Sequence, residues 1–345
     1  MAVAVATVPS TTAAQAMPPS LSQFLQQTIG LHSDEIRAVT SGNAVVKVLD
    51  SPDRLEIPVI GVVRIAVPRS FYVQRAADFR TSLQIASRRR FALFSDPAVP
   101  ADVAALFVPH DDVQDLAHCR AGACKLKLSA ATIARARSLI DSAPAAADSV
   151  VSQYVRQRAL DYITGYRARG NAGLVVYADE DSVTAAAQIF TAMLSRSPYL
   201  YQYAPSLERY LEQYPQNRPT DVTEALFWSE DDLPGLKPTI TITHEVIYTP
   251  PELAGCTLIV AKQLYADHYL DGAIDVTAVV EETAGQTGLY LIFLHRLHFD
   301  ELPSGGLVNV RGKVIGKLRD ATRTVLTDAK TAAERAYAAA AAPPR

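Results

Sequence analysis

The chain of 345 residues carries 49% hydrophobic and 20% charged side chains and a formal charge of −3. That is enough apolar material for one large core or two ordinary ones, so a folded, soluble protein is expected. The slightly acidic balance argues against a nucleic-acid surface, which needs clustered Lys and Arg, and no stretch approaches the ~20 apolar residues of a membrane span.

The first sixteen residues are small and apolar, and Ala14-Gln15-Ala16 has the small-x-small form of a signal-peptidase site, although no Lys or Arg precedes it. Two readings stand for residues 1–19, a remnant of an export signal and a disordered tail. The first places the protein in the periplasm or outside the cell, and the second leaves a cytoplasmic location open. Ser20 to Gly30 then reads as a short helix with Leu21, Phe24 and Leu25 on one face, and Ser33 opens a second. Ala44–Leu49 and Ile57–Val67 read as two strands of a hairpin turning through Ser51-Pro52-Asp53. Residues 20–69 thus form the N-terminal part of a core.

Residues 70–235 show almost no alternation and read as a helical insertion. Asp148 to Arg169 is its best-defined helix, with Val151, Tyr154, Val155, Ala159, Tyr162, Ile163 and Tyr166 spaced for one face and Gly170 at its end. Ser129–Asp141, Ser182–Ser195 and Ser206–Tyr214 read as its partners. The run Arg88-Arg89-Arg90 reads as a solvated face or loop. Tyr199, Tyr201, Tyr203, Tyr210 and Tyr214 read as core residues with hydroxyls at the rim rather than as a ligand groove. Cys119 and Cys124 flank a glycine-containing turn and are a candidate small-loop disulfide, with two buried thiols as the alternative.

Residues 236–340 carry the clearest pattern. Pro238–Tyr248, Cys256–Tyr265, Ala273–Glu281 and Leu289–Phe299 read as strands, and Val310 to Ala340 as a long helix. Its apolar stripe is Val310, Val314, Leu318, Ala321, Val325 and Ala329, thinning beyond Ala332 into an alanine-rich tail with nothing to bury. The fold class is α+β, an antiparallel sheet closed by a long C-terminal helix, with a large helical insertion. Such an arrangement usually encloses a cavity. On the first of these strands Ile240, Ile242, His244, Val246 and Tyr248 share a face, opposite Thr239, Thr241, Thr243, Glu245 and Ile247; on the last, Leu289, Leu291, Phe293, His295 and Leu297 share one and Tyr290, Ile292, Leu294, Arg296 and His298 the other, both substantially apolar. Taking the apolar face as the cavity wall makes Ile242, His244, Val260, Lys262, Phe293, His295, Val314 and Leu318 the ligand-binding candidates, with the opposite choice of face as the alternative.

This order of elements resembles the helix-grip arrangement of the START-like superfamily of polyketide cyclases and lipid-transport proteins over about half of the chain. The stretches Cys119–Leu128 and Lys262–Tyr269 look like those of uncharacterised, often exported bacterial proteins. The superfamily resemblance implies a hydrophobic cavity between sheet and terminal helix, used in different members for lipids, steroids, aromatic polyketides or partner proteins. The expected partner is therefore an apolar or amphipathic small molecule; a protein partner is left undetermined, and no cofactor is implied. An enzyme acting on an aromatic or lipid substrate in the same cavity is the rival reading, and an interaction module without a cavity the third. For the enzyme, His244, His295, Lys262 and Tyr265 are acid or base candidates, each also readable as an idle, hydrogen-bonded core residue. His268, His295, His298, Asp300 and His244 form the one metal-like grouping, but His295 and His298 lie three apart on a strand and so face opposite ways, and no metal site is assigned. No G-x-S-x-G elbow, H-E-x-x-H helix or Walker loop occurs.

Overall fold

The computed structural model describes residues 19–341, apart from residue 86 and residues 233–235, 283–286 and 303–308. The export-signal and tail readings of the N-terminus fall outside the described residues, save Pro19. No helix among the described residues is long and apolar enough to cross a membrane.

Among the described residues ten strands form in chain order: β1 (Val45–Val48), β2 (Glu56–Ile65), β3 (Arg88–Leu93), β4 (Val176–Tyr177), β5 (Thr184–Ala185), β6 (Thr223–Asp231), β7 (Thr239–Tyr248), β8 (Cys256–Ala266), β9 (Leu270–Glu281) and β10 (Leu289–Phe299). Eight of them build one antiparallel sheet in the order β1-β2-β10-β9-β8-β7-β6-β3, while β4 and β5 pair separately. The fold is α+β, with this sheet, the terminal helix Val310–Ala341 and the helices of the middle segment around it.

The middle segment is not helical throughout, because β3 and β6 come from it and extend the sheet beyond β7. Their alternation is hidden in the sequence by charge. Arg88 and Arg90 are partly buried on β3 and pair with Asp231 (2.8 Å) and Glu230 (2.6 Å) across β6, whereas Arg89 is exposed, as expected of a solvated face, and pairs with Asp232 (2.7 Å) beside it. Opposite charges facing one another across strands support pairing where apolar contact is scarce.

Period two gives the sheet two distinct faces, and both are covered. One carries Trp228, Ile242, His244, Val260, Lys262, Ile274, Leu294 and Ile60, and lies under the middle helices, including Ala147–Arg169, Ala186–Ser195 and Pro205–Gln213. Trp228 is fully buried there and donates from Nε1 to the Asp102 carbonyl at 2.8 Å. The long middle helix ends at Gly170, whose φ is +58° and where a Cβ would stand 1.6 Å from the Tyr214 carbonyl oxygen, so only glycine fits. Of the tyrosines nearby, Tyr210 and Tyr214 are buried against His244 and Tyr166, whereas Tyr201 and Tyr203 are exposed.

The other face meets the terminal helix along β1 and β2. Its buried seam contains Thr322, Leu326 and Ala333, and Val325 is 52% exposed, contrary to the stripe expected through Ala321 and Val325. Gly61 in β2 supplies the reason: a Cβ there would lie 2.4 Å from Leu326 Cδ1 and 3.1 Å from Thr322 Cγ2, so the missing side chain is the slot into which this turn settles. The alanine-rich end is also packed, since Ala333 is buried and the Tyr337 ring sits 5.0 Å from Phe71.

Candidate functional site

The antiparallel register decides which candidates can meet. His244 pairs with Lys262, Lys262 with Ile274, and Ile274 with Arg296; His295 pairs with Asp275 instead, one residue out of phase. Ile242, His244, Val260 and Lys262 therefore lie beneath the middle helices, while Phe293, His295, Val314 and Leu318 lie on the terminal-helix side. The eight do not line one cavity. The more apolar faces of the separate strands are out of phase with one another between β8 and β10, and a shift of one residue moves a side chain to the other face.

The group beneath the helices is closed. His244 Nε2 lies 3.1 Å from Glu224 and its Nδ1 3.0 Å from the Tyr166 hydroxyl, while Tyr210 donates to the same carboxylate at 2.5 Å. Burial depresses the His244 imidazole below its ordinary value, against the pull of Glu224. Glu224, although burial opposes it, is held down at about 2 by hydrogen bonds from His244 and Tyr210. Lys262 has no exposed surface; its Nζ donates to Asn171 and lies 3.9 Å from the centroid of the Phe190 ring, and burial drives the ammonium well below its usual pKa. A lysine desolvated in this way, with its Nζ bonded to Asn171, is a core residue satisfied as a donor. Tyr265 is likewise packed among Tyr162 and Tyr177, its phenol pushed up by burial.

The terminal-helix face differs. Along the middle of the sheet the buried positions of β7 to β10 alternate with partly exposed ones: Thr243 and Glu245, Ala261 and Gln263, Asp275 and Thr277, Phe293 and His295. Register places Glu245, Ala261, Asp275 and His295 in a single row across four strands, continued by Val59 of β2. Ile259, Thr277 and Phe293 form the next row. At about 4.8 Å per strand the two carboxylates are about 10 Å apart, with only the Ala261 methyl between them. The strip is a shallow trough, flanked on one side by the terminal helix on β1 and β2, whose Val314 and Leu318 pack against the cluster of Ile57, and at one end by Phe71 and Tyr72 of the helix Arg69–Ala77.

Its electrostatics are set by poor solvation. Burial pushes the Glu245 carboxyl up to about 7, Arg88 opposing and Asp275 adding to the rise. Burial, with Glu245 contributing, pushes the Tyr72 phenol up to about 12. His295 bonds through Nδ1 to Asp275, and although burial opposes it, that carboxylate raises the imidazole above its ordinary value. The Phe293 ring stacks on His295 at 5.7 Å. A half-polar, half-aromatic strip can hold an amphipathic molecule, and a histidine oriented by an aspartate can exchange a proton with it. Phe293 and His295 were expected here. Glu245, Asp275, Gln263 and Thr277 were not, because in sequence they form the polar side of their strands.

The metal-like grouping of His244, His268, His295, His298 and Asp300 is dispersed. His298 lies on the opposite face, 3.4 Å from Asp53 and 3.1 Å from Asp271. His268 instead meets Asp112 and Asp267, with donor atoms within 4.8 Å of one another. Lys237 Nζ already binds Asp112 there at 2.8 Å, so that cluster holds a cation of its own. Cys119 and Cys124 place their sulfurs 2.13 Å apart, beside a surface hollow of about 630 Å³ lined by Asp115, His118, Asp179 and Asp181. Cys256 is buried at the start of β8.

No protein-family profile matches the chain, and no curated protein matches it. Among solved structures it is similar to the ZhuI aromatase/cyclase from Streptomyces sp. R1128, at 15% identity and a TM-score of 0.25 over 42% of this chain and 90% of that one. A START superfamily protein from Mycobacterium smegmatis matches at 15% identity and a TM-score of 0.20 over 40% of this chain and 89% of that one.

Proposed function

We propose that this protein binds an apolar or amphipathic small molecule in the trough between the sheet and its terminal helix. The observation that carries the reading is the row Glu245, Ala261, Asp275 and His295, partly exposed in the middle of a sheet whose flanking positions are buried. A folded protein gains stability by closing such a strip with apolar side chains, and a site left open in a core is the usual form of a ligand pocket. The apolar part of the ligand rests on Phe293, Ile259, Val314 and Leu318, and its polar end meets the Glu245 to His295 row.

A second reading, an enzyme acting on the bound molecule, is favoured by one feature. The Asp275 carboxylate fixes His295 through Nδ1, which leaves Nε2 to take or give a proton at the trough. Binding is common to both readings and is tested first. Native mass spectrometry of the purified protein, followed by organic extraction, should reveal a stoichiometric apolar adduct that is lost in Ala261→Trp, which fills the trough. An adduct retained by Ala261→Trp, or a protein that no amphiphile stabilises, would overturn the proposal.

A further inference from the structure

The trough carries an uncompensated charge. Arg88 is paired with Asp231 at 2.8 Å, so that cation already has its anion, and His295 is bonded to Asp275. Glu245 has no hydrogen-bond or ion-pair partner among the described residues. The charged and titratable groups that act on it are Arg88 from β3, Asp275 from β9 and Tyr72 from the helix Arg69–Ala77, whose phenol stays protonated, while its strand neighbours Ala225 of β6 and Ala261 of β8 carry no charge. That helix's Arg69 is bound to Thr257 and lies 3.8 Å from Glu281 at the end of β9. The terminal helix packs on β1 and β2, near the opposite edge of the sheet from β7.

From this charge count we infer that the ligand's polar end is a cation, an ammonium or quaternary ammonium group seated against Glu245 between the Tyr72 side and the Asp275–His295 pair. The inference rests on the trough being the binding site. A carboxylate without a partner in a poorly solvated strip is costly when ionised, and a cationic ligand restores the neutrality that the Arg88–Asp231 pair already has. Tyr72, whose phenol feels the Glu245 carboxylate, brings an aromatic ring of the kind that favours ammonium over carboxylate or hydroxyl. An anionic lipid end would meet Glu245 and Asp275 with like charge.

The test compares three probes of one chain length, decyltrimethylammonium, decanoate and decanol, by calorimetric titration with the full chain at about pH 8.5. The cation should bind roughly tenfold or more tightly than the other two, and Glu245→Gln should abolish that preference. The preference should also fade as pH drops below about 7, where Glu245 takes up a proton. Equal binding of all three probes, or a cation preference untouched by Glu245→Gln, would overturn the inference and leave the binding site standing. Failure of every probe to bind would overturn the trough itself as the site.

Discussion

Glu245→Gln should stabilise the protein at alkaline pH and leave it nearly unchanged at acid pH. The carboxyl is displaced from 4.5 to about 7 by burial, so the folded state holds its proton more tightly than the unfolded chain. Below about pH 4.5 both states are protonated and no penalty arises. As pH rises towards 7 the unfolded chain ionises first, and stability falls until the folded carboxyl ionises as well; above that the loss is constant. The full displacement corresponds to about 3 kcal/mol, as a ceiling. Part of the side chain reaches solvent in the trough, which reduces this to about 1–2 kcal/mol. Gln keeps the volume and removes the charge. Urea denaturation at about pH 5 and about pH 8, followed by the fluorescence of the single tryptophan, Trp228, measures the difference. An equal effect of the substitution at both pH values, or a loss of stability at about pH 8, would refute the argument that Glu245 is held in a poorly solvated strip.

Other substitutions test the surrounding architecture. Gly61→Ala should destabilise by about 1–3 kcal/mol through overpacking against Leu326, and adding Leu326→Ala should recover part of that loss, which thermal unfolding of the single and double variants would reveal. Burial holds the Lys262 ammonium well below its ordinary pKa in the fold, so it costs increasing stability as pH falls below 10.5; Lys262→Met should flatten the dependence of stability on pH while leaving amphiphile binding unaltered, because it lies on the opposite face of the sheet. Trp228→Phe should cost about 1–3 kcal/mol, since it strands the Asp102 carbonyl and leaves a void in the layer beneath the middle helices, and urea midpoints read by circular dichroism would show it.

Much of the fold could be read from the sequence where pattern and burial agree. The last four strands and the terminal helix differ from their expected bounds by a few residues at most, because each has long runs of β-branched and apolar side chains or a sustained helical period. β3 and β6 escaped notice because Arg88, Arg90, Glu230 and Asp231 stand at strand positions normally apolar, their charges meeting only once the strands pair. The candidate site was half visible. Phe293, His295, Val314 and Leu318 follow from period two and from a helix covering a sheet. Glu245 and Asp275 do not, because a wall open to water is as polar as a solvent face, and only the register across β7 to β10 shows that they lie inside the sheet's span. His244 and Lys262 misled for the converse reason: the most apolar face was the one sealed under helices.

The most direct test is photo-crosslinking with an alkyl-diazirine amphiphile followed by peptide mapping. The account predicts labels on strand peptides containing Glu245, Ala261, Asp275 and Phe293 and on the terminal-helix turn at Val314 and Leu318, competed away by unlabelled amphiphile. Labels concentrated instead around Tyr166 and Phe190 under the middle helices, or in the hollow beside Cys119 and Cys124, would contradict it.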